Sequence, residues 1–248
     1  MKFKFKIQQY QTDAVENTVA VFRGQPSHTL SNYRIDLGTY KQQRITYEEE
    51  ETGYANHRLE LDAQTILKNI RSVQNLYDIA PSETLAKGIA PVNLDIEMET
   101  GTGKTYVYIK TMFELNRLYG WSKFIVVVPS IAIREGVAKS FKMLEEHFME
   151  YYGKKARCFV YDSSNLQKLD SFSSDSGLNV MIINTQAFNA SLNEDKNKEG
   201  RAGDSAARII FSRRDEFGSR KPIDILAKTN PILIIDLSLI HISEPTRL

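Results

Sequence analysis

The sequence holds a single cysteine, Cys158, which excludes a disulfide framework or a cysteine-built zinc site within these 248 residues. It also has almost no excess charge, since 32 Lys and Arg residues oppose 31 Asp and Glu residues. Any surface that binds nucleic acid must therefore be a local patch. No apolar run reaches the ~18 residues that a membrane helix needs. The single cysteine favours a protein of the reducing cytoplasm, and the lack of a long apolar run predicts no membrane partner.

The chain before residue 92 predicts an extension built from helices and a hairpin. Apolar residues at helical spacing predict one helix from Gln11 to Phe22 and another from Leu59 to Tyr77. The intervening residues 24–58 are rich in glycine, serine, tyrosine and charge, which is typical of a surface insertion such as a hairpin.

From residue 92 onward, apolar strands alternate with amphipathic helices. One long helix is predicted from Lys104 to Tyr119 and another through Ile133 and Phe148. The predicted strands cover residues 94–98, 124–128, 157–161, 178–184 and 231–236. Cys158 belongs to one of them, and we interpret it as a buried strand residue rather than a reactive thiol. The alternation predicts an α/β fold with a parallel sheet.

The segment Met98–Thr105 follows a predicted strand and opens a predicted helix, which is the context of a P-loop. The glycines of Gly101-Thr102-Gly103 let backbone N–H groups approach phosphate oxygens at a helix N-terminus. Lys104 is expected to reach the β- and γ-phosphates of ATP, and Thr105 to offer its hydroxyl to Mg²⁺. The first position of the pattern is Met98 instead of glycine, so a tight strand–helix turn with a chance lysine is the alternative.

A P-loop enzyme also needs a carboxylate at the end of a neighbouring strand to hold the Mg²⁺ shell. Asp236 ends the apolar run of residues 232–235 and fits this position, since open α/β sheets place their sites at the carboxyl ends of strands. The alternative is an aspartate that caps the next turn. The four histidines are scattered without metal-ligand spacing, so no histidine metal site is expected.

Taken together, the motifs resemble the Res subunit of type III restriction enzymes, a superfamily 2 helicase-like ATPase. The resemblance runs from Gln11 to Asp236. It is carried by Tyr10-Gln11 and by residues 98–105, 127–137, 184–189, 213–224 and 234–236.

The resemblance implies roles for further residues by position. Gln11 would contact adenine. Pro129, Ser130 and Thr185 would lie against a nucleic-acid backbone, where contacts position the protein without reading sequence. By the alternative interpretation, Ser130 is only a helix N-cap and Thr185 only ends a strand.

The domain organisation that follows is a RecA-like P-loop NTPase domain at residues 92–236. An N-terminal segment at residues 1–91 precedes it, with the glutamine motif and the insertion. Residues 237–248 fit no helicase motif and are interpreted as a non-native tail.

The parent protein implied by the resemblance is an ATP-dependent hydrolase, the motor subunit of a site-specific deoxyribonuclease. ATP hydrolysis would drive translocation on double-stranded DNA or a conformational switch, and a methyltransferase (Mod) subunit would supply sequence recognition. Lys104 and Asp236 would be the catalytic residues of the motor subunit. The second motor domain and the nuclease domain do not fit in this chain, so the chain is expected to be inactive alone. The alternatives are a superfamily 2 helicase or translocase outside restriction, and a nucleotide-binding module without turnover.

Overall fold

The structure is a computed structural model that describes residues 5–35, 52–88, 90–162, 164–185, 210, 213 and 219–236. Its helices are α1 (Gln9–Ala20), α2 (Ala63–Leu76), α3 (Lys104–Tyr119), α4 (Ile131–Tyr152), α5 (Gln167–Ser174) and α6 (Pro222–Lys228). Its strands are β1 (Ser31–Arg34), β2 (Thr52–Ala55), β3 (Lys123–Val128), β4 (Ala156–Val160), β5 (Leu178–Asn184) and β6 (Ile232–Ile235). The predicted tail at residues 237–248 lies outside the described residues.

The chain divides into two compact units. The first comprises Met1–Leu30, His57–Trp121 and Met143–Lys155, and the second comprises Ser31–Asn56, Ser122–Lys142 and Ala156–Leu248. Among the helices in the described part of the chain, none combines the length and the apolar character that a bilayer span requires.

The first unit is built around α3, which packs against α1. Its apolar side is buried, including Val107, Ile109 and Met112 at 3% exposure or less. The helix ends at Gly120, whose φ of +77° suits glycine and stops the helical path. A Cβ at this position would also overlap the carbonyl oxygen of His28, so the space itself requires glycine.

The second unit holds a parallel sheet with the strand order β4-β5-β3-β6. Its central strands are β3, which is buried along its whole length, and β5, which is buried except at Asn184, as their largely apolar sequences predict. The register pairs Phe124 with Ile232 on one side of β3 and with Val180 on the other. Separately, β1 and β2 pair as antiparallel strands. The predicted α/β class with a parallel sheet is thus confirmed.

One predicted strand is wrong. Residues 94–98 form no strand, and Ile96 is about half exposed. Their apolar alternation has the period of a strand, but a strand also needs a neighbour with which to pair its backbone. These residues belong to the first unit, whereas the parallel sheet belongs to the second.

Candidate functional site

The loop before α3 has part of the geometry of a P-loop, since it opens a helix at Lys104, although residues 94–98 before it form no strand. Gly101 and Gly103 have φ values of +84° and +88°, a region that residues with a Cβ rarely adopt. Gly103 is the N-cap of α3, so the helix begins at Lys104 and Thr105. The first turn of a helix carries N–H groups without intrahelical partners and the positive end of the helix dipole. The loop therefore ends in a position suited to an anion.

The side chain of Lys104 folds back over this loop. Its Nζ donates hydrogen bonds to the carbonyl oxygens of Met98 and Glu99, each at 3.0 Å. The hydroxyl of Thr102 donates to the same Glu99 carbonyl at 2.6 Å. These bonds hold a half-buried cation at the start of α3, where it could exchange loop carbonyls for phosphate oxygens.

Helix α1 contacts the loop through two side chains. The Nε2 of Gln11 and the hydroxyl of Tyr10 both donate to the carbonyl oxygen of Thr102, at 2.9 Å and 3.2 Å. A Cβ at Gly103 would stand 2.5 Å from the Gln11 Nε2. The structure thus brings Gln11 together with the loop, and its contact with adenine stays a prediction.

The other predicted site residues lie at the carboxyl ends of three neighbouring strands. Pro129 and Ser130 directly follow β3. On the two sides of β3, the Thr185 N–H donates to the Val128 carbonyl and the Asp236 N–H to the Val127 carbonyl, both at 2.9 Å. Parallel strands present their carboxyl ends at one edge, which is where open α/β sheets bind ligands.

Ser130 has a structural role in the fold. Its Oγ accepts a hydrogen bond from the Ile133 N–H at 3.3 Å, as an N-cap does at the start of α4. Thr185 directly follows the last residue of β5. Both structural alternatives are therefore present, and contact with a nucleic-acid backbone stays a prediction for each.

The predicted site residues fall into two groups by unit. Gln11 and residues 101–105 belong to the first unit, and Pro129, Ser130, Thr185 and Asp236 belong to the second. Each group is brought together within its own unit.

Sequence reasoning missed a cluster of His28, His57 and Glu60, whose ligand atoms lie within 4.8 Å of one another. The spacing of three between His57 and Glu60 was the one local signal. His28 is far earlier in the chain, and only folding brings it to the other two. The scattered spacing of the histidines in the sequence therefore did not indicate this cluster, and the prediction of no histidine metal site stays a prediction.

Burial affects two ionisable groups in the sheet. It raises the pKa of the Cys158 thiol in β4 to about 12, so the thiol stays protonated at neutral pH and is a poor nucleophile. It lowers the pKa of the buried Lys123 ammonium to about 8, and the nearby Asp175 carboxylate partly offsets this effect. Cys158 lies in a strand as predicted, but it is partly rather than fully buried. The raised pKa agrees with the interpretation of an unreactive thiol.

Comparison with known proteins gives a consistent result. The family model for "Type III restriction enzyme, res subunit" matches residues 4–236. The Res subunit of the Escherichia coli enzyme EcoP15I is 32% identical over 199 residues, which is 73% of this chain and 19% of that protein. The Res subunit of EcoPI from Escherichia phage P1 is 29% identical over 239 residues, which is 92% of this chain and 22% of that protein. The Res subunit of StyLTI from Salmonella typhimurium is 33% identical over 163 residues, which is 58% of this chain and 15% of that protein.

Proposed function

The chain belongs to the family of type III restriction enzyme Res subunits, and we propose that it binds ATP with Mg²⁺ through Gly101–Thr105. The observation that carries this proposal is the placement of Lys104 at the start of α3, behind two glycines with positive φ. A triphosphate needs hydrogen-bond donors, which the Lys104 ammonium and the N–H groups of the first helical turn provide. Mg²⁺ needs an oxygen ligand, which the Thr105 hydroxyl provides. The chemistry of the loop fits the cofactor.

In this proposal each group of residues has one task. Lys104 binds the β- and γ-phosphates, and Thr105 ligates Mg²⁺. Asp236, at the carboxyl end of β6, is the carboxylate proposed for the Mg²⁺ shell. Gln11 contacts adenine, since an amide can donate and accept at once as the adenine edge requires. Its contact with Thr102 supports a position near the nucleotide.

The activity of the whole protein is proposed from the family. The chain spans about a fifth of the length of the EcoP15I and EcoPI Res subunits. Both carry the name of a type III restriction-modification enzyme. We propose that ATP hydrolysis drives translocation on double-stranded DNA in support of cleavage, together with a methyltransferase (Mod) subunit. Pro129, Ser130 and Thr185 would then contact the DNA backbone.

The alternative of a helicase outside restriction is not favoured, because the relatives named above are all Res subunits. The alternative of a binding module without turnover differs from the proposal in one measurable respect. A motor turns over ATP faster when DNA is added, whereas a binding module does not.

Calorimetric titration of ATP with Mg²⁺ tests the nucleotide site. Lys104→Ala should weaken binding by about 1.5–3 kcal/mol, which is roughly 10- to 150-fold in Kd. Lys110→Ala is the matched control, because Lys110 is a lysine of the same helix whose Nζ contacts Thr12 instead of the loop. Equal dissociation constants for the wild type and Lys104→Ala, with both folded by circular dichroism, would contradict the assignment.

A further inference from the structure

Two imidazoles converge on one carboxylate oxygen in the first unit. The His28 Nε2 lies 2.7 Å and the His57 Nδ1 lies 3.3 Å from the Glu60 Oε1. The two rings stack with their centroids 4.1 Å apart. All three ligand atoms lie within 4.8 Å of one another. Two nitrogens and one oxygen are thus grouped around a single point.

The two nitrogens are otherwise unsatisfied. Both the His28 Nε2 and the His57 Nδ1 are shielded from solvent, and among the described residues neither forms a hydrogen bond of normal geometry. If hydrogen bonds alone held the cluster together, the His28 Nε2 and the His57 Nδ1 would both have to be protonated and donate to the same Glu60 oxygen. A metal ion would instead accept the lone pairs of two neutral imidazoles together with that carboxylate.

The spacing of the atoms fits a small divalent ion. Tetrahedral ligands about 2.0–2.2 Å from zinc lie roughly 3.3–3.6 Å from one another. The distances from the two histidine nitrogens to the Glu60 Oε1 are 2.7 Å and 3.3 Å, and no two of the three ligand atoms are more than 4.8 Å apart. The observed separations therefore bracket the range for zinc. The lone pair of an imidazole lies in the plane of its ring, so binding requires one of the two partly exposed rings to turn out of the stack, together with a rotation of the partly exposed Glu60.

The backbone around the cluster is fixed by buried contacts. Gln25 is 6% exposed and joins the two ligand-bearing segments. Its Nε2 donates to the Arg58 carbonyl at 3.3 Å, and its Oε1 accepts from the Glu60 N–H at 2.9 Å. The indole N–H of Trp121 donates to the His57 carbonyl at 3.0 Å. Such supporting bonds hold candidate ligands in place before a metal binds.

We propose that His28, His57 and Glu60 bind one Zn²⁺ ion, with water in the fourth position. Two imidazoles and one carboxylate are a ligand set that zinc accepts in this geometry. The site joins the segment after α1, the segment before α2 and the C-terminal end of α3. Along α3 it lies on the order of 24 Å from Lys104. Zinc therefore stabilises the first unit from the end of α3 opposite the nucleotide loop.

The test uses the metal-free 248-residue chain without a histidine tag. Zn²⁺ is titrated in competition with a chromophoric chelator, and one ion per chain is expected. His28→Gln, His57→Gln and Glu60→Gln should each weaken binding by more than about 100-fold, since even a supporting residue outside the ligand shell is worth 10- to 100-fold. His147→Gln is the matched control, because this histidine contacts the Tyr106 hydroxyl instead of the cluster.

Two further measurements keep the test decisive if a ligand variant fails to fold. Co²⁺ bound to the wild type should show the visible absorption bands of a tetrahedral nitrogen and oxygen site. Gln25→Ala, which leaves all three ligands in place, should weaken Zn²⁺ binding about 10- to 100-fold. Absence of stoichiometric Zn²⁺ binding by the wild type, or equal affinity in the ligand variants, would overturn the proposal.

Discussion

The Nε2 of Gln11 donates a hydrogen bond to the carbonyl oxygen of Thr102 at 2.9 Å, across 91 positions of the chain. This bond ties the first turn of α1 to the loop that precedes α3. The adjacent Tyr10 hydroxyl reaches the same carbonyl. A helix that supports the loop before a ligand arrives reduces the ordering that the ligand must impose. Gln11 therefore has a positioning role in addition to the proposed contact with adenine.

Gln11→Ala separates these two roles. Loss of the bond to Thr102 should weaken ATP binding by about 1 kcal/mol, roughly fivefold in Kd. If Gln11 also contacts adenine, the difference in affinity between ATP and GTP should narrow. Calorimetric titration with both nucleotides measures the two effects. Gln9→Ala is the control, because Gln9 lies on the same helix and donates to Asp13. An unchanged ATP/GTP preference would disprove the adenine role alone.

The two loop glycines should differ in their response to alanine. Gly101→Ala introduces backbone strain only, because no atom lies within 4 Å of the added Cβ. Strain of this kind is of order 1–2 kcal/mol. Gly103→Ala adds a Cβ 2.5 Å from the Gln11 Nε2, so it should also displace that side chain from Thr102. We expect a larger loss of ATP affinity for Gly103→Ala.

A double-mutant cycle isolates the second effect. In a Gln11→Ala background the displaced side chain is already absent, so Gly103→Ala should lose only the strain contribution. Gly101→Ala should lose the same affinity in either background. Additive losses for Gly103→Ala and Gln11→Ala would show that the contact does not determine the loop geometry.

The parts of the fold that could be predicted are those with local signals. Helix α3 has the predicted bounds because Gly103 and Gly120 mark its ends and its apolar residues recur at helical spacing. Strand β5 has the predicted bounds of residues 178–184 because a short apolar run stands between polar residues. In both cases the neighbouring residues alone determine the structure.

Other features depend on residues that are distant in the chain. The pattern at residues 94–98 could not show whether a pairing partner was available, and the predicted strand is wrong. The cluster of His28 with His57 and Glu60 exists only after folding. Lys123 lies just outside the predicted strand of residues 124–128, but it is the first residue of β3. It is fully buried, because its ammonium donates to the carbonyls of Phe172 and Asp175.

Buried Lys123 predicts an unusual dependence of stability on pH. Its pKa is about 8 in the folded chain, against 10.5 for an ordinary lysine. Between these values the unfolded chain binds a proton that the folded chain has lost, so the free energy of unfolding rises with pH. The maximum slope from one such group is about 1.4 kcal/mol per pH unit.

Urea denaturation between pH 8 and 9.5 measures this slope, with Lys123→Met as the reference. The wild type should gain stability relative to the variant as the pH rises. The pH range ends below 10 because of two tyrosines, Tyr119 and Tyr152, whose pKa values are raised by burial. Above the ordinary tyrosine pKa, the unfolded chain loses protons that these residues keep in the folded chain, so the free energy of unfolding falls. Parallel pH profiles would show that Lys123 keeps an ordinary pKa.

The last prediction concerns turnover by the 248 residues expressed alone, which we expect to bind ATP but hydrolyse it slowly. In the resembled family a carboxylate after Asp236 would orient or deprotonate the attacking water. This sequence has Leu237 there, and a leucine side chain accepts neither a proton nor a hydrogen bond. The family's second motor domain would supply an arginine finger, which is worth ~10³–10⁵ in rate. Binding depends on neither of these groups.

Two comparisons distinguish these contributions by steady-state ATPase measurement. Leu237→Glu alone should restore little activity, because the arginine finger is still missing. A longer chain with glutamate after Asp236 and the second motor domain should gain turnover that DNA stimulates. Lys104→Ala in that longer chain is the control and should remove the gain. Fast hydrolysis by the 248 residues alone, lost on Lys104→Ala, would show that the loop and Asp236 are sufficient for catalysis.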